Sequence, residues 1–453
     1  MKFGAGLVCL LMGSGLQYLH AQPFQPLRYD EDYGYLQKDS ARATLKFIPV
    51  TKNHRSYLSV GGSFRTQYFH VINDSWGGFE DRNYDYLLSR YLSHLDFRAG
   101  ARFRLFTEIQ GGLAYSKPET SATDQNTLDL HQAFAEMTIQ DSNALKLTLR
   151  LGRQELLYGS SRLISVREGP NTRQAFDAAK LLIKTARFRS DIFYAHYVQA
   201  RKGAFDDRFS SNTRLWGWYN VLTQIPVLQN IDWYYLGIRR LHARFANTAG
   251  TEMRHSIGMR WWGGSAAFQY DLEAVFQTGR IGESAIRAWT ASVHMNYRMT
   301  DLFGKPRLGL KTELISGDAQ AADGLLGTFN PLFPRGAYFG LAALVGPANL
   351  IDIHPDISVM IHKNISLGID WDTFWRYSTH DGLYGPTGAL VFPGHGISGR
   401  FIGNQYAASV SAEPGAHVSL GLECTWFVPG EYVKKVSPGK QIVFTGITAQ
   451  FKF

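Results

Sequence analysis

The feature that most constrains this chain is a period of two sustained over segments of ten or more residues. In "LDFRAGARFRLFTEIQGGL" the odd positions read Leu95, Phe97, Ala99, Ala101, Phe103, Leu105, Thr107 and Ile109, while the even ones include Asp96, Arg98, Arg102, Arg104, Glu108 and Gln110. Alternation of this kind puts one set of side chains on each face of a β-strand. "FQYDLEAVFQ" repeats it, with Phe268, Tyr270, Leu272, Ala274 and Phe276 opposite Gln269, Asp271, Glu273 and Gln277. So do "LSVGGSFRTQY", which carries Arg65, and "WTASVHMNYRM", which carries His294, Asn296 and Arg298. Soluble sandwiches alternate as well, so segment length has to decide. Globular strands cluster at roughly 5–6 residues, whereas a tilted strand needs about 9–11 to cross a bilayer. These segments have the second length.

Connections come in two sizes. Short ones are "HKN" (His362 to Asn364), "QDSNA" (Gln140 to Ala144), Gly263-Gly264 and "FGKP" (Phe303 to Pro306). Long ones run Asn73 to Tyr91, Ser116 to Asp129, Glu155 to Ala175, Ala200 to Asn230, Ser316 to Pro355 and Tyr377 to Asn404. Short turns at one end and long loops at the other are the asymmetry of outer-membrane barrels. Aromatic residues gather near segment ends, among them Trp261, Trp262, Trp371, Trp375 and Trp426, where interfacial girdles sit. The chain is rich in Gly (45), Phe (29), Tyr (23) and Trp (10) and only 19% charged, which favours strands and tight turns. Past the first residues it holds no apolar run of about 18, so no transmembrane helix is expected. The pattern predicts an all-β, transmembrane antiparallel β-barrel with short periplasmic turns and long extracellular loops, in the outer membrane of a Gram-negative bacterium.

The ends fit this compartment. "MKFGAGLVCLLMGSGLQYLHAQ" has one cation, Lys2, an apolar run and a cut site after Ala21, so residues 1–21 read as a signal peptide. Its removal leaves Cys424 as the single cysteine, so no internal disulfide holds the fold. Residues 22–56 alternate less and read as a periplasmic lead-in or partial plug, followed by the barrel at 57–453. The final strand ends on Phe453, the type of terminus that the barrel-insertion machinery reads. The net charge of +9, or +8 without Lys2, is spread along the chain, which does not suit a nucleic-acid partner.

Two segments carry more than a pattern. "LGRQELLYGSSRLISVREGPNTRQAFDAAKL" (Leu151 to Leu181) contains Gly152, Arg153 and Gln154 at a strand end. "SGDAQAADGLLGTFNPLFPRGAYFGLAALVGPANLIDIHPDISV" (Ser316 to Val359) contains Gly317-Asp318 and the run Phe329, Asn330, Pro331, Phe333 and Pro334. Together they resemble the alginate-export domain family of bacterial outer-membrane β-barrels. The resemblance implies a monomeric barrel of about 18 strands (16–18), set in lipid and lipopolysaccharide, whose arginine-lined lumen passively exports an anionic polysaccharide. Where family members carry further basic residues after the Gly-Arg-Gln triplet, this chain has Glu155-Leu156-Leu157. An anionic oligosaccharide, or small anionic solutes passing a general or solute-specific porin, are therefore alternatives.

A polyanion crosses a bilayer if its carboxylates meet replacement charge along the way, and arginine offers a planar, permanently charged fork. Candidates for translocation are Arg65, Arg98, Arg102, Arg104, Arg150, Arg298 and Arg376, with Glu108, Asp271 and Glu273 interleaved to limit affinity. For each arginine the competing reading is a structural ion pair between neighbouring strands. Strict alternation from Leu145 to Leu151 puts Arg153 on the lipid face, where a midplane Arg costs about 2–4 kcal/mol. Either Gly152 marks a bulge or the strand has left the membrane by that point. Beyond Leu157 the alternation stops, and Arg162, Arg167 and Arg173 lie on a long loop that is either solvated or folded into the barrel. The resemblance implies the second, with those arginines at the narrowest point.

No cofactor or metal is expected. Gly317 to Gly327 lacks the spacing and closing Glu of a calcium loop, and the histidines are scattered in sequence. A barrel enzyme using residues such as His395 and Ser398 is a distant alternative without a G-x-S-x-G motif.

Overall fold

The computed structural model describes residues 24–39, 44–78 and 83–453. The proposed signal peptide, 1–21, lies outside them. Eighteen long antiparallel strands close into one barrel. In chain order they are β1 Ser56–Ile72, β2 Asn83–Ala99, β3 Phe103–Tyr115, β4 Asn126–Asp141, β5 Lys146–Gln154 and β6 Phe176–Lys184. β7 Phe188–Gln199, β8 Arg208–Ile225, β9 Gln229–Arg244, β10 Ala249–Gly264, β11 Phe268–Ile281 and β12 Ser284–Arg298 follow. The last six are β13 Arg307–Ile315, β14 Leu350–His362, β15 Ile365–Arg376, β16 Phe401–Ala412, β17 Val418–Pro429 and β18 Ile442–Lys452. Each pairs with its neighbour in sequence, and β1 closes on β18 from Ser63↔Lys452 to Ile72↔Val443. Closure removes the sheet edges that would otherwise leave backbone groups unpaired in lipid.

The period of two sorts side chains between lipid and lumen. Leu95, Phe103, Leu105 and Ile109 are exposed on the outer face, as are Phe268 and Phe276, whereas Arg104, Glu108, Glu273 and Gln277 are buried inside. An exposed apolar belt of this extent is a lipid surface. Trp371, Tyr406 and Trp426 line up along it, with ring centroids 5.9 and 5.5 Å apart. Trp262 departs from the girdle reading: it points inward and donates to Asp232 at 2.8 Å.

Several of the stretches expected to be long loops overlap strands, two of them by half a strand or more. Asn73 to Tyr91 includes the first half of β2, and Ala200 to Asn230 includes all of β8. The reason for the second is visible in packing. The inner face of β8 presents Leu215 and Tyr219, buried beneath a loop, so both of its faces are apolar and alternation fades.

The N-terminal segment enters the short-turn end of the lumen. Arg28 donates to the carbonyls of Gly62 and Phe453, both at 2.9 Å. Tyr29 packs edge-on against Phe106 and Phe134.

Candidate functional site: the loop-filled lumen

The loop 155–175 folds into the barrel, and local geometry forces it there. Gly152 has φ 125°, and a Cβ at that position would stand 2.3 Å from the Ala133 carbonyl oxygen. The side-chain amide of buried Gln154 donates to the carbonyls of Gly152 and Ala178, both at 3.2 Å. Past this point Tyr158 stacks on Tyr219 at 4.8 Å. Arg162 then reaches the far wall, pairing with Glu273 at 3.2 Å and with Glu313.

The loop 316–349 comes in to meet it. Ser165 N donates to Phe333 O at 3.0 Å, and Phe333 N to Leu163 O at 2.8 Å. The Phe333 ring packs on Phe176 and Tyr197, while Phe329, Pro331 and Pro334 are buried. Asn330 N donates to Gln277 Oε1 at 2.9 Å, and Gln277 Nε2 returns a bond to Asn330 O at 2.8 Å. Asp318 accepts from Gly327 N at 3.0 Å and from Asn247 at 2.6 Å, and a Cβ on Gly317 would lie 1.9 Å from Asn349 Oδ1. The residues that carried the family resemblance are thus those that fold two loops inward.

Two groups of arginines face the space that remains. In the first, Arg65 donates to the carbonyls of Glu168 and Pro170 at 2.8 and 2.9 Å, Arg90 donates to the Glu168 carboxylate, and Arg173 lies 3.3 Å from it. Three guanidinium groups therefore share one carboxylate, whose side chain is 51% exposed. Its surroundings raise the Glu168 pKa by desolvation, but Arg90, then Arg173 and Arg65, outweigh this and hold it down at about 2. In the second group, Arg104 bonds Asp96 at 2.6 and 2.9 Å and Glu136 at 3.3 Å, and Arg150 bonds Glu136 at 2.6 Å. Arg98 pairs with Asp32 at 3.0 Å. Tyr29 caps this group, with the Arg150 guanidinium 4.1 Å from its ring centre. A cavity of about 940 Å³ opens below it at the short-turn mouth.

The other expected residues are placed differently. Arg102 sits exposed in the β2–β3 turn, and Arg298 is exposed at the last position of β12, so both lie at the mouth and not along the lumen. Arg376 is buried, but its guanidinium is spent on the carbonyls of Thr379, Asp381, Ile397 and Gly399, which tie down the loop 377–400. Arg167 has φ 56°, and among the described residues its guanidinium reaches only Thr172 O, at 3.5 Å. Asp271 is paired with Arg260 at 2.7 Å, and Glu108 accepts from Gln132 at 2.9 Å. Arg153 remains on the outer face: β5 pairs with β6 without a bulge, and Arg153 is held by Asp177 at 2.8 Å one residue from the strand end. Lys435 donates to both the carbonyl and the hydroxyl of Ser398.

Arg90 and Glu168 were not among the expected residues, although they complete the first group. Arg90 lay in a stretch read as loop, and its even-numbered parity with Asp96 and Arg98 was the available signal. Arg254 was also missed: it donates to Glu252, Gln277 and the Thr328 carbonyl and so supports the loop 316–349.

An eighteen-stranded barrel with a lipid-facing apolar belt and inward-folded loops defines a channel of the Gram-negative outer membrane. A family profile described as "Alginate export" matches residues 56–441, and the chain belongs to that family. No curated protein matches by sequence. Among solved structures the fold is similar to OpdO of Pseudomonas aeruginosa (TM-score 0.58, 9% identity, 90% of this chain and 98% of that one). It is also similar to a BenF-like porin from Pseudomonas fluorescens Pf-5 (0.59, 7%, 90% and 99%). A third is Pseudomonas aeruginosa OccK2 (OpdF) in complex with glucuronate (0.56, 7%, 87% and 96%).

Proposed function

We propose that this chain is a passive channel for anionic glycans of the uronate type, an alginate-like polysaccharide or its oligosaccharides, selected at Arg65, Arg90 and Arg173. The observation that carries this reading is the excess of charge on those three arginines over their two carboxylates, the half-exposed Glu168 that all three share and Glu155 that pairs with Arg173, on a loop inside the barrel. A uronate carboxylate can take the place that Glu168 holds on one guanidinium fork and then release it, because the resident carboxylate competes. No enzymatic step is part of this reading. It also takes residues 1–21 as an export signal, the following residues to 56 as a partial plug, Phe453 as the end read by the insertion machinery, and the channel as a monomer.

A second reading, a porin for small anionic solutes, is favoured by how much of the lumen the two loops fill, and the likeness to OccK2 with glucuronate is consistent with it. Liposome swelling with uronate monomers, uronate oligomers and neutral sugars of matched size tests both. The proposal expects acidic oligomers to enter faster than neutral ones of the same length. Entry of acidic monomers alone would support the small-solute porin, and equal entry of neutral sugars would overturn both.

A further inference from the structure

Beneath the root of the loop 155–175, three strands and the loop bring four side chains with lone pairs together. β2 supplies His94, β3 Glu108, β4 His131 and the loop Glu155, and none is more than 4% exposed. His131 arrives there through a β-bulge. The β3–β4 register passes from Glu108↔Gln132 to Ile109↔Leu130, which leaves His131 as the extra residue. Leu130 points outward and Gln132 inward, so alternation would not have given two consecutive inward residues; the bulge re-aims His131.

Ligating atoms of Glu108, His131 and Glu155 all lie within 4.8 Å of one another, and His94 stands outside that set, approaching it at Glu108. Each carboxylate commits one oxygen. Glu108 Oε1 accepts from Gln132 at 2.9 Å, while Glu155 Oε1 lies 2.8 Å from His131 Nε2 and 2.9 Å from Arg173 Nε. The other oxygens do not: Glu155 Oε2 is buried without a hydrogen-bond partner among the described residues, and Glu108 Oε2 and His94 Nδ1 face only each other, at a distance too long for a hydrogen bond. Buried polar atoms are nearly always paired, so one orphaned oxygen beside a stretched pair calls for an explanation. His94 Nδ1 stands 3.6 Å from Glu108 Oε2, close to the edge of about 3.4 Å between two ligands of a tetrahedral ion bound at 2.0–2.1 Å.

We propose that His94, Glu108, His131 and Glu155 form a binding site for a divalent transition-metal ion of the zinc class. Two imidazoles and two carboxylates match such an ion, whereas calcium and magnesium take sets of oxygen ligands. The ion joins β2, β3 and β4 to the first residue of the inward loop and so fixes the base from which Arg162, Glu168 and Arg173 project. The four ligands are spread over residues 94–155, with no short-range spacing to betray them in the sequence. The site stands on its own geometry and does not depend on what the channel carries.

The test uses the full chain, folded in detergent and stripped with a chelator, then titrated calorimetrically with Zn²⁺ alone and with Mg²⁺ for comparison. One Zn²⁺ per chain is expected, without binding of Mg²⁺, and with a raised Tm. His131→Gln and Glu108→Gln, shown to be folded by their heat-modifiable migration on gels, weaken binding about tenfold or more. Asp206→Asn, in a separate carboxylate cluster with Asp129 and Asp207, leaves it unchanged. Should the two ligand variants not fold, X-ray absorption at the zinc edge of the wild-type complex decides, with two nitrogen and two oxygen ligands expected. Absence of stoichiometric Zn²⁺, unaltered affinity in either folded ligand variant, loss of binding in Asp206→Asn, or a ligand shell without imidazole would each overturn the proposal.

Discussion

The two groups of lumen arginines differ in charge balance. Under the N-terminal segment, Arg98, Arg104 and Arg150 face Asp32, Asp96 and Glu136, one cation for each carboxylate, with Tyr29 laid over them. At the loop, Arg65, Arg90 and Arg173 share Glu168, whose carboxylate is half exposed, and Arg173 also pairs with Glu155, so three cations face two carboxylates. A guanidinium on the inner face of a barrel strand is thus not in itself a transport residue. What distinguishes the group at the loop is charge left over after internal pairing, around a carboxylate that is half exposed.

The largest effect is expected where the balanced group is broken. Glu136→Ala leaves the Arg104 and Arg150 guanidinium groups short of a partner in a buried setting, which costs about 3–5 kcal/mol. Thermal unfolding in detergent would register this as a lowered Tm. Glu168→Ala is expected to cost less, about 1–3 kcal/mol, because its carboxylate is half exposed and Arg65 keeps the carbonyls of residues 168 and 170 and Arg173 keeps Glu155, while anion selectivity in planar bilayers increases. If the two variants were equally destabilised, the distinction between the groups would fail.

Acid sharpens the same contrast. The folded pKa of Glu168, about 2, lies below its ordinary value of 4.5, so the unfolded chain takes up the proton first as pH falls. The stabilisation from this carboxylate is complete above about pH 4.5 and is lost as pH drops toward 2. Protonation in the folded channel also removes the Glu168 charge, so anion selectivity should rise only as pH falls through about 2, and Glu168→Gln should lack that rise. The smallest effect is expected outside the lumen. Arg153→Gln breaks the outer pair with Asp177 at the strand end, and a partly exposed pair there is worth at most about 1 kcal/mol. Chemical denaturation should barely move, and selectivity not at all.

How much of this could be read in the sequence depended on what each strand faces inside. Where the inner face is polar, as along Arg104, Glu108 and Gln110 of β3 or Asp271, Glu273 and Gln277 of β11, alternation gave both the strand and its orientation. Where an inward loop covers the wall, the inner face becomes apolar, and β8, with Leu215 and Tyr219 inside, vanished into a supposed loop. The family motif located the two loops, and Gly152 and Gly317 show why: each stands where a side chain would collide with neighbouring atoms. Ion-pair partners were out of reach of the sequence, since Arg162 and Glu313 meet across the lumen from opposite sides of the barrel. Arg376 illustrates the opposite failure, because correct parity says nothing about whether a guanidinium is already consumed by backbone carbonyls.

The most direct test is the reversal potential of the single channel in a salt gradient, compared between wild type and the double variant Arg65→Met, Arg90→Met. The account predicts an anion-selective wild type and a double variant whose anion-to-cation permeability ratio falls by about threefold or more, with the fold intact. A wild-type channel that prefers cations, or a double variant with unaltered selectivity, would contradict it.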